Sequence, residues 1–331
     1  MAHHNFEEDY MSMIQKARGS EGFVGIDVSK ATLDICFGKQ HYQILNTKAE
    51  IKKFIAAHMQ DAESIALCVL ESTGGYERGV LQALHKAQIA THRAHPSRVH
   101  AFAKACNHFA KTDKLDALLL QKYASFVSAT ERGDREESAH QQELKSFRQL
   151  LRSIEEQLHG AQCRIKQYPE QCYAVLAEQI RMYRKQIEKI NKQMQSIVQG
   201  DARLQQQVKL MQSMPGIGLK SATLLLAELP ELGRLGKKQI AALLGVAPKT
   251  SESGRTVRRA RIFGGRFYAR KVMYMCALVA SRYEPRMREL YQRLIAMGKA
   301  KKVALVAIMR KMIVCLNAML KNNIAFYPLS A

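Results

Sequence analysis

The sequence holds no Cys-x-x-Cys pair, and only 29 acidic residues stand against 51 lysines and arginines. No apolar run approaches the ~20 residues that a bilayer-spanning helix needs. The first absence bears on seven cysteines, Cys36, Cys68, Cys106, Cys163, Cys172, Cys276 and Cys315, which are odd in number, scattered, and mostly set in apolar runs. They are expected to be buried reduced thiols of a cytosolic chain, not a zinc site or a disulfide framework. Without a membrane-length run, and with a polar start, MAHHNFEEDYMSM, that is unlike a signal peptide, a cytoplasmic and nucleoid-associated location is expected. The shortage of acids leaves a formal net charge of +22. Such a field attracts phosphate backbones and would be costly to keep without a polyanionic partner. A protein that merely coats nucleic acid would share the charge, but 47% hydrophobic residues imply a substantial core.

Where the few acids stand carries the chemistry. Asp113 and Asp116 lie three residues apart in KTDKLDA, at the mouth of an apolar helical run, so one helix face can present both. Asp27 ends the strand-like run FVGIDVSK and Glu71 ends IALCVLESTGG. Crowded carboxylates repel one another unless a cation sits between them, so the four together predict Mg²⁺ or Mn²⁺ held by oxygen ligands. Taken singly, Asp27 also suits a turn and Asp113 a helix cap. Glu71 is followed by STGGY, whose free N–H groups at a helix start are expected to suit a phosphate. Lys30, Arg93, Arg98, Lys104 and Lys111 would rim the acids with positive charge.

The pattern along the chain predicts three antiparallel strands, GFVGIDVS, ATLDICFG and HYQILN. A helix AEIKKFIAAHM, a strand IALCVLE, a helix over 76–86, a strand QIATHRA and a helix after Pro96 follow. The order βββαβαβα predicts a mixed sheet between helices, as in the ribonuclease H-like fold. From about 136 to 198 a heptad-like stripe runs through Leu144, Phe147, Leu151, Ile154 and Leu158. It resumes through Ile180, Tyr183, Ile187, Ile190, Met194 and Ile197, predicting two long helices that form a hairpin or an oligomerising arm.

LMQSMPGIGLKSATLLLAEL then predicts a helix-hairpin-helix in which Gly216 and Gly218, with Lys220, grip a phosphate; an ordinary tight turn between helices is the alternative. Between Lys249 and Lys311 seventeen basic residues face three glutamates, which predicts a nucleic-acid surface. Its expected contacts include Arg255, Arg258, Arg259, Arg261, Arg266 and Arg270. Within it Ser253 is expected in a turn, and its hydroxyl would need a base, a metal or dense positive charge to act as a nucleophile. The Met-rich helical stretches after it are expected to close a second core.

In the order GIDVSK, LESTGGYE, KTDKLDA, MPGIG, SESG, RIFGGR and RKVMYMCALVASRYEP, followed by KKVALVAIMRKM, the chain resembles the DEDD transposases of the insertion-sequence one-ten family. Within that family it is similar to the Piv/MooV-like recombinases and the eleven-eleven subgroup. The resemblance implies an α/β plus α architecture in four parts. These are an extension over 1–21, a RuvC-like catalytic domain over 22–130, a coiled-coil-like arm over 131–205 and a mainly helical transposase domain over 206–331. It places metal ligands on Asp27, Glu71, Asp113 and Asp116 and the nucleophile of a covalent phosphoserine link on Ser253. Donor and target DNA, an element-encoded guide RNA that reads the bases, and a homodimer or homotetramer are the implied partners. A metal-dependent nuclease or junction resolvase, with water in place of Ser253, is the competing expectation, and non-enzymatic packaging of nucleic acid a third.

Overall fold

The computed structural model describes residues 22–106, 113–128, 138–253 and 256–326, with the side chains of 63, 113, 128 and 249–260 outside that description. The extension expected over 1–21 lies outside the described residues. The chain divides into two compact units, 1–136 and 137–331.

The first unit is a five-stranded mixed sheet between helices. Strands β1 (Phe23–Val28), β2 (Thr32–Phe37) and β3 (Gln40–Leu45) form the expected meander, and helix α1 (Lys48–His58) follows. Strand β4 (Leu67–Glu71), helix α2 (Arg78–Lys86), strand β5 (Thr91–Ala94), helix α3 (Pro96–Ala105) and helix α4 (Asp113–Ser128) complete it. The strand order is β3-β2-β1-β4-β5, with β4 and β5 parallel to β1. Both faces of β1 are covered, which is why FVGIDV is nearly continuously apolar. Val24, Ile26 and Val28 pack with Ile51, Phe54, Val80 and Leu84 of α1 and α2. Phe23, Leu67 and Val69 face the other way, onto Val99, Phe102, Leu120 and Tyr123 of α3 and α4. Helix starts follow local chemistry: the Thr47 hydroxyl accepts from the Glu50 amide at α1, and Pro96 opens α3.

The second unit begins with α5 (Ala139–Arg164) and α6 (Tyr173–Gln199), which pair as a helical hairpin. Each is about 40 Å long at 1.5 Å per residue. Helices α7 (Ala202–Gln212), α8 (Leu219–Glu228) and α9 (Lys237–Leu244) come next, then strands β6 (Lys249–Ser253) and β7 (Thr256–Arg261), and helices α10 (Phe267–Tyr283), α11 (Pro285–Ala296) and α12 (Lys301–Asn322). One core joins the hairpin's base to the C-terminal helices: Leu144, Leu151, Ile190 and Met194 pack in it with Leu225, Ala277, Ile308 and Leu316. Tyr168, Tyr173, Val175 and Met182, toward the far end, are exposed.

A buried ion-pair network ties the hairpin's base to this core. The Arg148 Nε donates to Glu228 Oε1 at 2.8 Å with both side chains almost fully enclosed, and Arg152 pairs with the same carboxylate. Tyr268 lies against the Arg152 guanidinium, 4.3 Å from ring centroid to Cζ, and its hydroxyl donates to Glu156.

Two expectations are corrected here. Helix α12 does reach the length and apolarity of a membrane span, with a mean hydropathy of 1.9 over an 18-residue window within it; Arg310 and Lys311 hide the run in the sequence. Its apolar side, from Leu305 through Ile308, Met312 and Leu316, is core. The seven cysteines are free thiols but not all buried: Cys163 is exposed, while Cys106, Cys172 and Cys315 are half-buried.

Candidate active site

Strand register brings two of the acids together. Ile26 of β1 lies beside Leu70 of the parallel β4, so the next residues, Asp27, the last but one of β1, and Glu71, the last of β4, stand on one face of neighbouring strands. Helix α4 supplies the third. A Cβ built on Gly25 would stand 2.1 Å from the Ala117 carbonyl oxygen and 2.3 Å from the Gln121 amide nitrogen, so α4 lies directly on bare backbone of β1. The Gln121 side-chain amide donates to the carbonyl of Phe23, at the start of β1, and to that of Gly38, each at 3.0 Å. The helix therefore runs antiparallel to β1. Ala117 lies over Gly25, and Asp116 comes toward the strand end that carries Asp27. Asp113 begins α4 about 4.5 Å further along the axis, with its side chain outside the described residues.

Asp27, Glu71 and Asp116 are all half-buried. Carboxylate oxygens are the donors that a hard divalent cation takes. Among the described residues, no three His, Cys, Asp or Glu side chains converge closely enough to hold a metal ion; the Asp113 carboxylate is not among those residues.

A further acid was missed in the sequence. Asp34 of β2 is the cross-strand partner of Asp27. It is 4% exposed, and its carboxylate accepts from His41 Nε2 at 3.0 Å and from Gln43 Nε2 at 3.2 Å. A charge flanked by Leu33 and Ile35 in TLDICF was the available signal, since buried charges are rare unless partnered.

The STGGY segment already holds an anion. The Gly75 N–H donates to Glu77 Oε2 at 2.8 Å and the Thr73 hydroxyl donates to the same oxygen at 3.1 Å. Burial by itself would raise the Glu77 carboxyl, but the N–H groups of Glu77 and Gly75, the Thr73 hydroxyl and the Arg93 charge together bring it below the usual carboxylate range. The phosphate expected there meets the chain's own carboxylate instead. Lys30, Arg98 and Lys104 of the proposed basic rim are exposed, Arg93 is half-buried, and Lys111 lies outside the described residues.

In the second unit Ser253 is the last residue of β6 and pairs with Thr256 of β7 across the two-residue link 254–255. It therefore stands at a hairpin tip, at the end of a strand rather than in the expected turn. Its side chain, those of Arg258 and Arg259, and the whole of Arg255 lie outside the described residues. Arg261 is exposed. Arg266 and Arg270 are engaged within the chain. The Arg266 guanidinium binds Glu231 and the Glu228 carbonyl, and that of Arg270 donates to the Gly264 carbonyl, which holds the link before α10 in place.

The PGIG link joins α7 to α8 as expected, but its two glycines differ. Gly216 has φ +95°, and a Cβ there would meet the Cys276 carbonyl at 2.7 Å, so this glycine lets the turn pack against α10. Gly218, the N-cap of α8, and Lys220 are exposed.

Residues 24–174 match the family model of the IS110 DEDD transposases, and residues 208–292 match that of the transposase IS116/IS110/IS902 family. The pilin gene-inverting proteins of Moraxella lacunata and Moraxella bovis are each 27% identical to this chain over 329 residues, covering 93% of it and 98% of each relative. An uncharacterized protein of insertion element IS110 from Streptomyces coelicolor is 30% identical over 120 residues, 36% of this chain and 29% of that protein. The two family models cover the sheet with its half-buried acids, the first hairpin helix α5, and the stretch from within α7 into α11, and on that basis the chain belongs to the IS110 family of DEDD transposases, enzymes that cut and rejoin DNA.

Proposed function

We propose that this transposase moves an insertion sequence by guide-RNA-directed strand exchange through a phosphoserine link on Ser253, with Asp27, Glu71, Asp113 and Asp116 forming a cradle for Mg²⁺ or Mn²⁺. The observation that carries the reading is the antiparallel seat of α4 on Gly25, which brings Asp116 to the sheet edge where Asp27 and Glu71 end their strands. A bound divalent ion would supply charge stabilisation to an in-line displacement at phosphorus. The residues do the rest. The four carboxylates would hold that ion where the scissile phosphate docks, and Ser253 Oγ forms a bond to phosphorus while the bond to the departing strand oxygen breaks. The serine proton passes to that oxygen. Resealing is the reverse displacement: the freed hydroxyl of the partner strand attacks phosphorus and Ser253 Oγ leaves. Arg255 and Arg258 neutralise the pentavalent charge. Arg259, Arg261, Lys111 and Lys220, with the Gly218 amide, hold backbones of donor and target DNA, so affinity falls with salt.

The net charge of +22 supports a division in which RNA reads bases and protein holds phosphates. Two or more duplex strands must be cut and exchanged, and the long helical hairpin α5–α6 lies in sequence between Asp116 and Ser253, which supports a homodimer or homotetramer sharing its sites between subunits. The test is a denaturing gel of full-length protein incubated with metal, co-purified RNA and labelled element-end DNA. A covalent adduct lost in Ser253→Ala and after ribonuclease treatment is expected. Cleavage by Ser253→Ala without any adduct would instead identify a water-using nuclease.

A further inference from the structure

We propose that Phe263 and Phe267, at the foot of the strand hairpin that carries Ser253, form a stacking platform for unpaired bases of the DNA strand being exchanged. The inference rests on the strand exchange proposed above and adds what holds the opened bases. The two phenylalanines are 61% and 60% exposed, and Ile262 beside them is 36% exposed. Helix α10 buries Ala269, Met273, Ala277 and Ala280 in the core. Phe267 stands roughly 200° around that helix from Ala269, on its far side.

The fold fixes this exposure. A Cβ on Gly265 would stand 2.3 Å from the Gly245 amide nitrogen, so the link 262–266 lies backbone to backbone against the end of α9. The Arg266 N–H donates to the Leu243 carbonyl at 2.8 Å, and the Arg270 guanidinium donates to the Gly264 carbonyl. The Phe267 ring is itself oriented: the Tyr268 ring meets it at 79°, and Arg270 Cζ lies 5.8 Å from its centre. Rings held in place beforehand give up little conformational freedom when a flat partner stacks on them.

Charge decides what that partner is. Between Glu252 and Glu284 the sequence has eight lysines and arginines and no acid. Of these, Arg261 and Lys271 flank the rings in sequence and are exposed. Residues 137–331 hold 34 basic residues against 13 acids, so the same face of a second copy would be repelled. Phosphates suit the cations, but only bases freed from a duplex offer flat faces to the rings. Strand β7 covers about 20 Å at 3.3 Å per residue, which would set the rings a few nucleotides from the phosphate at Ser253.

The test is fluorescence anisotropy of the full-length chain, stripped of nucleic acid, with a labelled thymidine strand of about 12 nucleotides and with an equally long strand of abasic sites. The parent is expected to bind the thymidine strand about 5-fold to 100-fold more tightly. Phe263→Leu combined with Phe267→Leu keeps apolar bulk and removes both rings. It is expected to lose most of that preference, with affinity for the abasic strand and its salt dependence unchanged. A parent without the preference, a variant that keeps it, or an equal loss for both strands overturns the inference. So does a variant that sediments as a smaller assembly with the preference intact, since the face would then lie between copies. A uridine strand bound far more tightly than thymidine would assign the platform to the guide RNA and overturn its assignment to DNA. Should the double variant not fold, the two single replacements take its place, and unchanged preference in both refutes the proposal. The denaturing gel separates the two readings: a Ser253 adduct without base preference sinks the platform alone, whereas ring-dependent preference without any adduct supports the platform and sinks the phosphoserine link.

Discussion

Adding one methyl group at Gly25 probes the seat of α4 directly. The new Cβ would stand 2.1 Å from the Ala117 oxygen and 2.3 Å from the Gln121 nitrogen, more than 1 Å inside the separation of about 3.5 Å at which such atoms rest. Both obstacles are helix backbone, so no side chain can swing aside, and α4 itself must lift. Overpacking of this kind costs about 1–3 kcal/mol, with backbone obstacles at the upper end. The opposing gain from a stiffer unfolded chain is about 0.4–1 kcal/mol. A net loss of about 2 kcal/mol remains, which in a domain of this size lowers the melting temperature by roughly 10 °C. The lift also carries Asp113 and Asp116 away from Asp27 and Glu71, and a misplacement near 1 Å costs about a hundredfold in rate. Circular dichroism melts, hydrogen exchange of the α4 amides and strand-transfer rates of Gly25→Ala would read the three effects. A melting temperature within about 2 °C of the parent, with α4 protection and rate unchanged, would refute the close approach and the placement of Asp116 that follows from it.

Glu228→Gln leaves Arg148 and Arg152 without their shared carboxylate at the base of the helical hairpin. Because the Arg148 side chain is almost fully enclosed, a loss of about 3–5 kcal/mol is expected in urea unfolding, and a loss below about 1 kcal/mol would mean the network contributes little. The Glu77 carboxyl is held below its usual range in the folded chain, so its contribution is present above the unfolded value near 4.3 and is lost as pH falls through the folded value. Glu77→Gln should therefore be less stable than the parent at neutral pH and nearly equal to it in strong acid, and an equal deficit at both pH values would refute the assignment.

The first unit was legible in the sequence because its rules are local. Alternation and apolar runs marked all five strands, and Pro96 marked the start of α3. The hairpin stripe from Leu144 to Ile197 was equally plain, since a period near 3.5 survives any tertiary detail. The strands β6 and β7 were not seen. KTSES and TVRRAR carry little apolar alternation, and what joins them is a backbone ladder that leaves no mark in the pattern of side chains. The pairing of Arg266 was hidden for a related reason. Its charge counts toward a nucleic-acid surface in the sequence, but Glu231, 35 residues away along the chain, takes up its guanidinium.

The candidate site divides in the same way. Asp27, Glu71 and Asp116 could be singled out because strand ends and a three-residue helical spacing set where an acid points. Their electrostatic setting could not, because it depends on residues that meet only through pairing. The Asp34 carboxylate faces Asp27 by the β1–β2 register, and His41 and Gln43 reach it by the β2–β3 register. A slip of one residue in either ladder would turn that carboxylate to the other face or strip its donors. The motif names the acids near the C-terminal ends of the strands; the register of two hairpins decides that a further carboxylate, that of Asp34, stands beside Asp27.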